Sequence, residues 1–380
     1  MRSELTTSCR VSSAKQKYYP LWYLFNGHLQ TLKLARANES EVHPIINYER
    51  QLLDLPDGGV VSLDWALPKR ADGATPSIAE IDPTCRTMII LPGLTGGSGE
   101  HYIRCTVDRM LELGWQVVVM NARGCASTPL KTAKLFCCAY TEDLRDIVKY
   151  LNKKYDFRAS AFIGIGFSMG SNVLVKYLGE QKHDSGLTAG ISIGNPFDLV
   201  KCSDNLRSSV FYRRTYDAAL THNLKELFFK RSNAHEVFQG HPELDLEALR
   251  NSKDLHEFDD RLTRIVFDYE TVHHYYTDAS SATRIKDIKI PLLCINAEDD
   301  PISTAAALPY QEALDNDNVI LCVTKSGGHL AFYEGRQPGD ETASARELRG
   351  KSPVEVWSVK VIAEYAESIR HHAASKLLPA

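Results

Sequence analysis

Six short runs of this chain are almost continuously apolar, at residues 87–91, 116–120, 161–165, 189–193, 291–296 and 319–324. Each is the length of a strand and reads as one buried in a sheet. Helical spacing fills most of the intervals. One helix runs through Leu113 after a glycine-rich turn, and another starts with Thr141 as N-cap and Glu142 and Asp143 in its first turn. A third carries Val173, Leu174, Tyr177 and Leu178, and two more are expected near 305–314 and 354–372. Strands alternating with helices predict an α/β fold with a mostly parallel sheet covered by helices on both faces. Ahead of it, QLLDLPDGGVVSLDWA reads as a hairpin turning at Asp57-Gly58-Gly59, and 69–83 as a surface loop. From 196 to 288 the alternation stops and helix-like stretches such as LKELFFKR take over. The expected organisation is therefore an N-terminal arm (1–50), a first core part (51–195), a helical cap inserted between late strands (196–288) and a second core part (289–380).

With 380 residues, the chain is long enough for one large core with an insertion. Its 44 Lys and Arg against 48 Asp and Glu are interspersed, giving a net charge of −4 with no basic block, so nucleic acid is not an expected partner. The nine cysteines form no C-x-x-C pattern, and an odd number points to free thiols in a reducing compartment. No secretory signal opens the chain and no apolar run reaches the roughly 18 residues of a spanning helix, so a cytoplasmic, soluble chain is expected. The oligomeric state is not legible. An aromatic cluster, Tyr18, Tyr19, Trp22, Tyr23 and Phe25 around Pro20, leaves two readings open: peripheral membrane contact, or an arm packed on the main domain with no amphipathic helix after it.

The chemistry concentrates where the 161–165 strand meets the next helix. Gly166-Phe167-Ser168-Met169-Gly170 matches the G-x-S-x-G nucleophile elbow, in which a strained turn lifts a serine hydroxyl clear of the sheet. Ser168 is the candidate nucleophile. In the α/β-hydrolase arrangement an acid follows one late strand and a histidine the next. Here LLCIN is followed by Glu298-Asp299-Asp300-Pro301, and VILCVT by Ser326-Gly327-Gly328-His329. His329 is the expected general base and Asp300 the expected acid, with Asp299 and then Glu298 as alternatives. The oxyanion donors are expected to be the amides of Met169, just after the nucleophile, and Leu94 in the loop LPGLTGGSGEHY.

Other chemistries fit less well. Gly164-Ile165-Gly166 starts like a dinucleotide fingerprint, but the third position is Met169. The His-Glu pairs at 235–236 and 256–257 and the segment HHYYTDASS lack H-E-x-x-H spacing, so neither a metal nor a cofactor is expected. His371-His372 reads as a solvated helix end.

With these residues in place, the chain resembles the α/β-hydrolase branch that includes animal medium-chain phospholipase-like proteins, yeast medium-chain ethyl ester synthase/esterases and bacterial YheT-like hydrolases. The resemblance spans residues 20–370 and rests on FNGHLQTL, GLTGGSGEHYI, NARGCAS, FCCAYTEDL, GFSMGSNVLVKYLGE, EFDDRLTRIVFDYETVHHYYTDAS, CINAEDDPIS and SGGHLAF. It implies a Ser168–His329–Asp300 triad acting on acyl esters of lipids, with short to medium chains. Two departures stand out: residues 1–19 carry no spanning run where animal relatives have an anchor, so membrane residence is not expected, and the oxyanion loop opens Leu91-Pro92-Gly93 rather than His-Gly. The expected activity is serine carboxylic ester hydrolysis. Acyl transfer to an alcohol or lysolipid by the same triad, or a catalytically silent lipid-binding relative, are the alternatives; the H-x-x-x-x-D pattern associated with transfer is missing at His329, where Glu334 stands fifth. Cap residues Phe211, Tyr212, Leu227, Phe228, Phe229, Phe267 and Tyr269 are the expected wall for the acyl chain.

Overall fold

The computed structural model describes residues 18–37, 44–157, 160–335 and 355–377; the first 17 residues of the arm lie outside them. Eight strands form the main sheet: β1 (Glu49–Asp54), β2 (Val60–Ala66), β3 (Thr87–Leu91), β4 (Gln116–Asn121), β5 (Phe162–Phe167), β6 (Ala189–Ile193), β7 (Leu292–Ala297) and β8 (Val319–Thr324). Their order is β1-β2-β4-β3-β5-β6-β7-β8. The β1–β2 hairpin is antiparallel, β2 pairs antiparallel with β4, and every later pair is parallel. Strands β2 to β7 are buried along their whole length, and in β3 to β7 this is why the sequences are nearly continuous apolar runs rather than alternating ones.

The principal helices are α1 (Gly27–Ala37), α2 (His101–Glu112), α3 (Glu142–Tyr155), α4 (Met169–Gln181), α5 (Leu199–Arg207), α6 (Ala218–Glu226), α7 (Val272–Ala279) and α8 (Trp357–Leu377). Because successive strand residues point to opposite faces, the core divides in two. Met88, Ile90, Val117, Ile163 and Ile165 meet α2 and α8 on one face. Ile89, Val118 and Phe162 meet α3 and α4 on the other.

The segment between β6 and β7 is a helical cap built on α5, α6, α7 and shorter helical turns, with its own apolar centre around Phe228, Phe238, Phe258 and Leu262. It is fastened to α4. The Asn172 amide donates to the carbonyls of Ala279 (2.7 Å) and Cys138 (3.1 Å), and its oxygen accepts from Ser281 N–H. Buried Lys176 donates to the carbonyl and carboxylate of Asp278. These contacts join SNVLVKYLGE on α4 to HHYYTDAS on α7.

A helix, α1, follows the aromatic cluster from Gly27, with the Asn26 side chain accepting from Leu29 N–H, and the residues it buries are Gly27 and Gln30 rather than an apolar stripe. Two expectations need correction. Thr141 precedes α3 but does not cap it with its hydroxyl, which donates instead to Glu180 on α4. The helix expected at 305–314 is a single turn, Ala305–Ala307, and then Tyr310–Leu314. Pro309 drives Leu308 to an extended conformation and breaks the two apart.

Candidate active site

Ser168 sits at the β5–α4 junction with φ 51° and ψ −117°, a backbone that a side-chain-bearing residue adopts only under constraint. The constraint comes from two close approaches. A Cβ on Gly166 would lie 2.4 Å from both Gly170 O and Ser171 Cα, and one on Gly170 would lie 2.3 Å from Leu91 O. Only glycine at both positions lets α4 seat against β5 and the β3 loop. Ser168 N–H donates to Ile193 O, and Ser168 O accepts from the amides of Ser171 and Asn172, so the turn is closed on both sides.

The loops after β7 and β8 bring an acid and a base to this hydroxyl. His329 Nε2 lies 2.8 Å from Ser168 Oγ, and its Nδ1 lies 2.9 Å from Asp300 Oδ2. Asp300 is buried, and its Oδ1 accepts from the amides of Ile302 (2.8 Å) and Ser303 (2.9 Å). These two bonds fix the carboxylate plane and leave Oδ2 facing the imidazole. Asp299 and Glu298 are not part of this chain of bonds. Asp299 Oδ1 accepts instead from Gly328 N–H at 3.0 Å, holding the backbone beside His329.

The sequence reading missed a second support for that loop. Thr31, on α1, accepts from His329 N–H at 2.9 Å and donates to Gly27 O at 2.7 Å. The helix lies so close that a Cβ on Gly27 would meet Asp299 O at 1.9 Å. Gln30 is fully buried, its oxygen accepting from Tyr333 N–H and its nitrogen donating to Leu24 O and Tyr18 Oη. The motif FNGHLQTL is therefore a strut across the loops that carry Asp300 and His329. Asn26, a capping residue ahead of a helical pattern, was the local signal for it.

Leu94 and Met169 both border Ser168 in one cavity. Met169 opens α4, so its amide precedes the first helical hydrogen bond. The Gly93 amide is already committed to Tyr102 Oη at 3.0 Å. The loop behind Leu94 is pinned at Ser98, whose amide donates to Asn121 Oδ1 and whose hydroxyl donates to buried Asp64.

The cavity has a volume of about 110 Å³ and is walled almost entirely by apolar side chains, among them Leu199, Leu206, Leu224, Phe238, Phe258 and Tyr275. Most residues expected to form this wall do not. Phe267 does, but Phe211 is exposed, while Leu227, Phe228 and Phe229 are buried in the cap. Tyr212 and Tyr269 are not in the lining either. The main polar intrusion from the cap is Asp259, which accepts from Thr263 (2.6 Å) and Tyr276 (2.7 Å). Burial pushes its carboxyl up to about 6 despite those two bonds. Among the described residues no cluster of His, Cys, Asp and Glu could hold a metal ion, and all eight described cysteines are free thiols.

Residues 86–336 match the family model described as the alpha/beta hydrolase fold. The chain is similar to "Embryogenesis-associated protein EMB8" of Picea glauca, 33% identical over 335 residues, covering 88% of this chain and 70% of that protein. It is 33% identical over 341 residues to "Phospholipase ABHD3" of Homo sapiens, covering 88% and 78%. To "Monoacylglycerol lipase" of Saccharomyces cerevisiae it is 30% identical over 342 residues, covering 82% and 75%. With an eight-stranded sheet in this order, a serine on the β5–α4 elbow and these relatives, the chain belongs to the α/β-hydrolase family, among its lipases and esterases.

Proposed function

We propose that this chain is a serine carboxylic ester hydrolase acting on acyl esters of lipids, with Ser168 as nucleophile, His329 as general base and Asp300 as the acid that orients it. One observation carries the reading: the unbroken line of hydrogen bonds from Asp300 Oδ2 through His329 to Ser168 Oγ at the edge of an apolar cavity. Ser168 Oγ attacks the ester carbonyl carbon as its proton passes to His329 Nε2. Asp300, already held by two amides, keeps the Nδ1 proton in place and stabilises the imidazolium. The developing oxyanion is received by the Met169 and Leu94 amides. His329 then returns the proton to the departing alcohol, leaving an acyl group on Ser168, and the same imidazole activates water to release the carboxylic acid.

The apolar wall supports an acyl group as the part of the substrate it encloses, and short to medium chains are the lengths proposed. The names of the relatives, phospholipase and monoacylglycerol lipase, support a lipid ester. The test is Ser168→Ala. It should lower hydrolysis of p-nitrophenyl esters by about 10⁴-fold or more and abolish labelling by a fluorophosphonate, with the near-UV circular dichroism unchanged. A mutant that still takes the label would overturn the assignment of the nucleophile.

A further inference from the structure

Twelve large hydrophobic side chains are exposed among the described residues, and eight of them, Tyr19, Trp22, Tyr23, Phe25, Leu32, Ile45, Val210 and Phe211, belong to the arm, α1 and the first cap turn after α5. Trp22 is 86% exposed, Phe25 67% and Phe211 55%, far more than single surface hydrophobics need be. The two segments meet in space. The His28 ring on α1 lies 5.6 Å from that of Phe211 and stacks on Tyr216, with Nδ1 2.6 Å from the Tyr216 hydroxyl. Leu32 lies one turn further along the same side of α1 as His28.

Charge accompanies this face. From Lys201 to Tyr216 there are four basic residues and one acidic residue, with Lys201 paired to Asp198 just ahead of the run. Arg207, Arg213 and Arg214 are exposed, and neither Arg213 nor Arg214 makes an ion pair among the described residues. The face also adjoins the cavity. Leu199, Cys202 and Leu206 of α5 line it, and Asn205 of the same helix donates to Pro301 O beside the candidate acid.

We infer that the arm, α1 and the 207–214 segment form a docking face for an anionic lipid bilayer, placing the cavity mouth at the surface from which an ester substrate would come. Indole and phenol rings favour the headgroup layer, where one end is apolar and the other wet. Arginines beside them are drawn to anionic lipid, each strengthening binding about fivefold. The choice of a bilayer over a protein surface rests on the lipid-ester reading above. With such docking, an acyl chain passes from membrane interior to apolar cavity without crossing water, so its transfer carries no large desolvation cost.

Sedimentation with vesicles of phosphatidylcholine alone, and of phosphatidylcholine mixed with phosphatidylserine, tests this. The full chain should bind the mixed vesicles more tightly, and added salt should weaken that preference. R213Q/R214Q should lose about 25-fold on mixed vesicles and little on phosphatidylcholine. W22A/F211A should lose about tenfold or more on both. Both variants should hydrolyse water-soluble p-nitrophenyl acetate at the parent rate and an ester presented in vesicles more slowly. Failure of the parent chain to sediment with either vesicle, or variants that sediment like it, would overturn the proposal. So would a parent dimer that W22A/F211A converts to monomer with vesicle binding unchanged, which would make the face a contact between copies. Vesicle binding by a chain that cleaves no ester would sustain the docking face and sink the esterase reading; ester cleavage without vesicle binding would do the reverse.

Discussion

Replacing Asp300 by Asn should be far more damaging than replacing Asp299, and the hydrogen bonds around each carboxylate set the size of the difference. Asp300 Oδ1 accepts from two backbone amides, Ile302 and Ser303, at 2.8 and 2.9 Å. An Asn at 300 must keep its carbonyl oxygen there, because turning the NH₂ toward two N–H donors would leave both unsatisfied at about 1–3 kcal/mol each. The NH₂ is thereby aimed at His329 Nδ1, 2.9 Å away. It donates, so Nδ1 becomes an acceptor and the ring proton moves to Nε2. At 2.8 Å from Ser168 Oγ, Nε2 then gives a hydrogen bond instead of taking a proton. The wrong tautomer in a triad costs about 10⁴-fold in kcat, or about 5.5 kcal/mol. Asp299→Asn keeps an oxygen for Gly328 N–H and should stay within about tenfold of the parent, since one retained neutral bond changes the balance by about 1 kcal/mol. The assay is kcat on a p-nitrophenyl ester, with near-UV circular dichroism to show that both variants fold. An Asp300→Asn enzyme within tenfold of the parent, or a reversed ranking, would refute the reasoning.

Thr31→Val removes the acceptor for His329 N–H and should lower kcat about 10- to 100-fold through a displaced imidazole. Thr31→Ser should restore it; a valine variant that keeps the parent's kcat, or a serine variant that fails to recover it, would reduce Thr31 to a packing role. In the cap, Leu224→Phe should shorten the preferred acyl chain and Phe258→Ala lengthen it, since each buried CH₂ contributes about 0.8 kcal/mol. A chain-length profile on p-nitrophenyl esters that neither change moves would place the acyl site elsewhere. Asp259 has its folded pKa raised to about 6, so the folded state holds its proton more tightly than the unfolded one. Its contribution is complete below pH about 4 and is lost as pH rises through 6, amounting to about 2–3 kcal/mol. Asp259→Asn should flatten stability against pH across that window in urea titrations, and curves parallel to the parent's would count against it.

What the sequence determined by itself was set by local geometry or by burial on two sides. The strands from β3 to β7 are legible because both faces are covered, which makes each one a continuous apolar run. The elbow is legible because α4 approaches β5 and the β3 loop too closely for any Cβ at 166 or 170. Asp300 and His329 could be chosen because each follows a late strand, and the structure brings both to Ser168. Thr31 could not be chosen, since its bond to His329 joins residues 298 positions apart and no local pattern encodes it. Nor could the role of Asp299 be read, because its bond to Gly328 N–H joins two separate loops that meet only in the fold. The cap shows the same limit. Phe228 and Phe258 look equivalent as apolar residues in helical stretches, yet only Phe258 lines the cavity while Phe228 fills the cap's own centre. Hydrophobicity says that a side chain leaves water, but it is non-directional, so the neighbour it meets is decided only when the cap closes over the sheet.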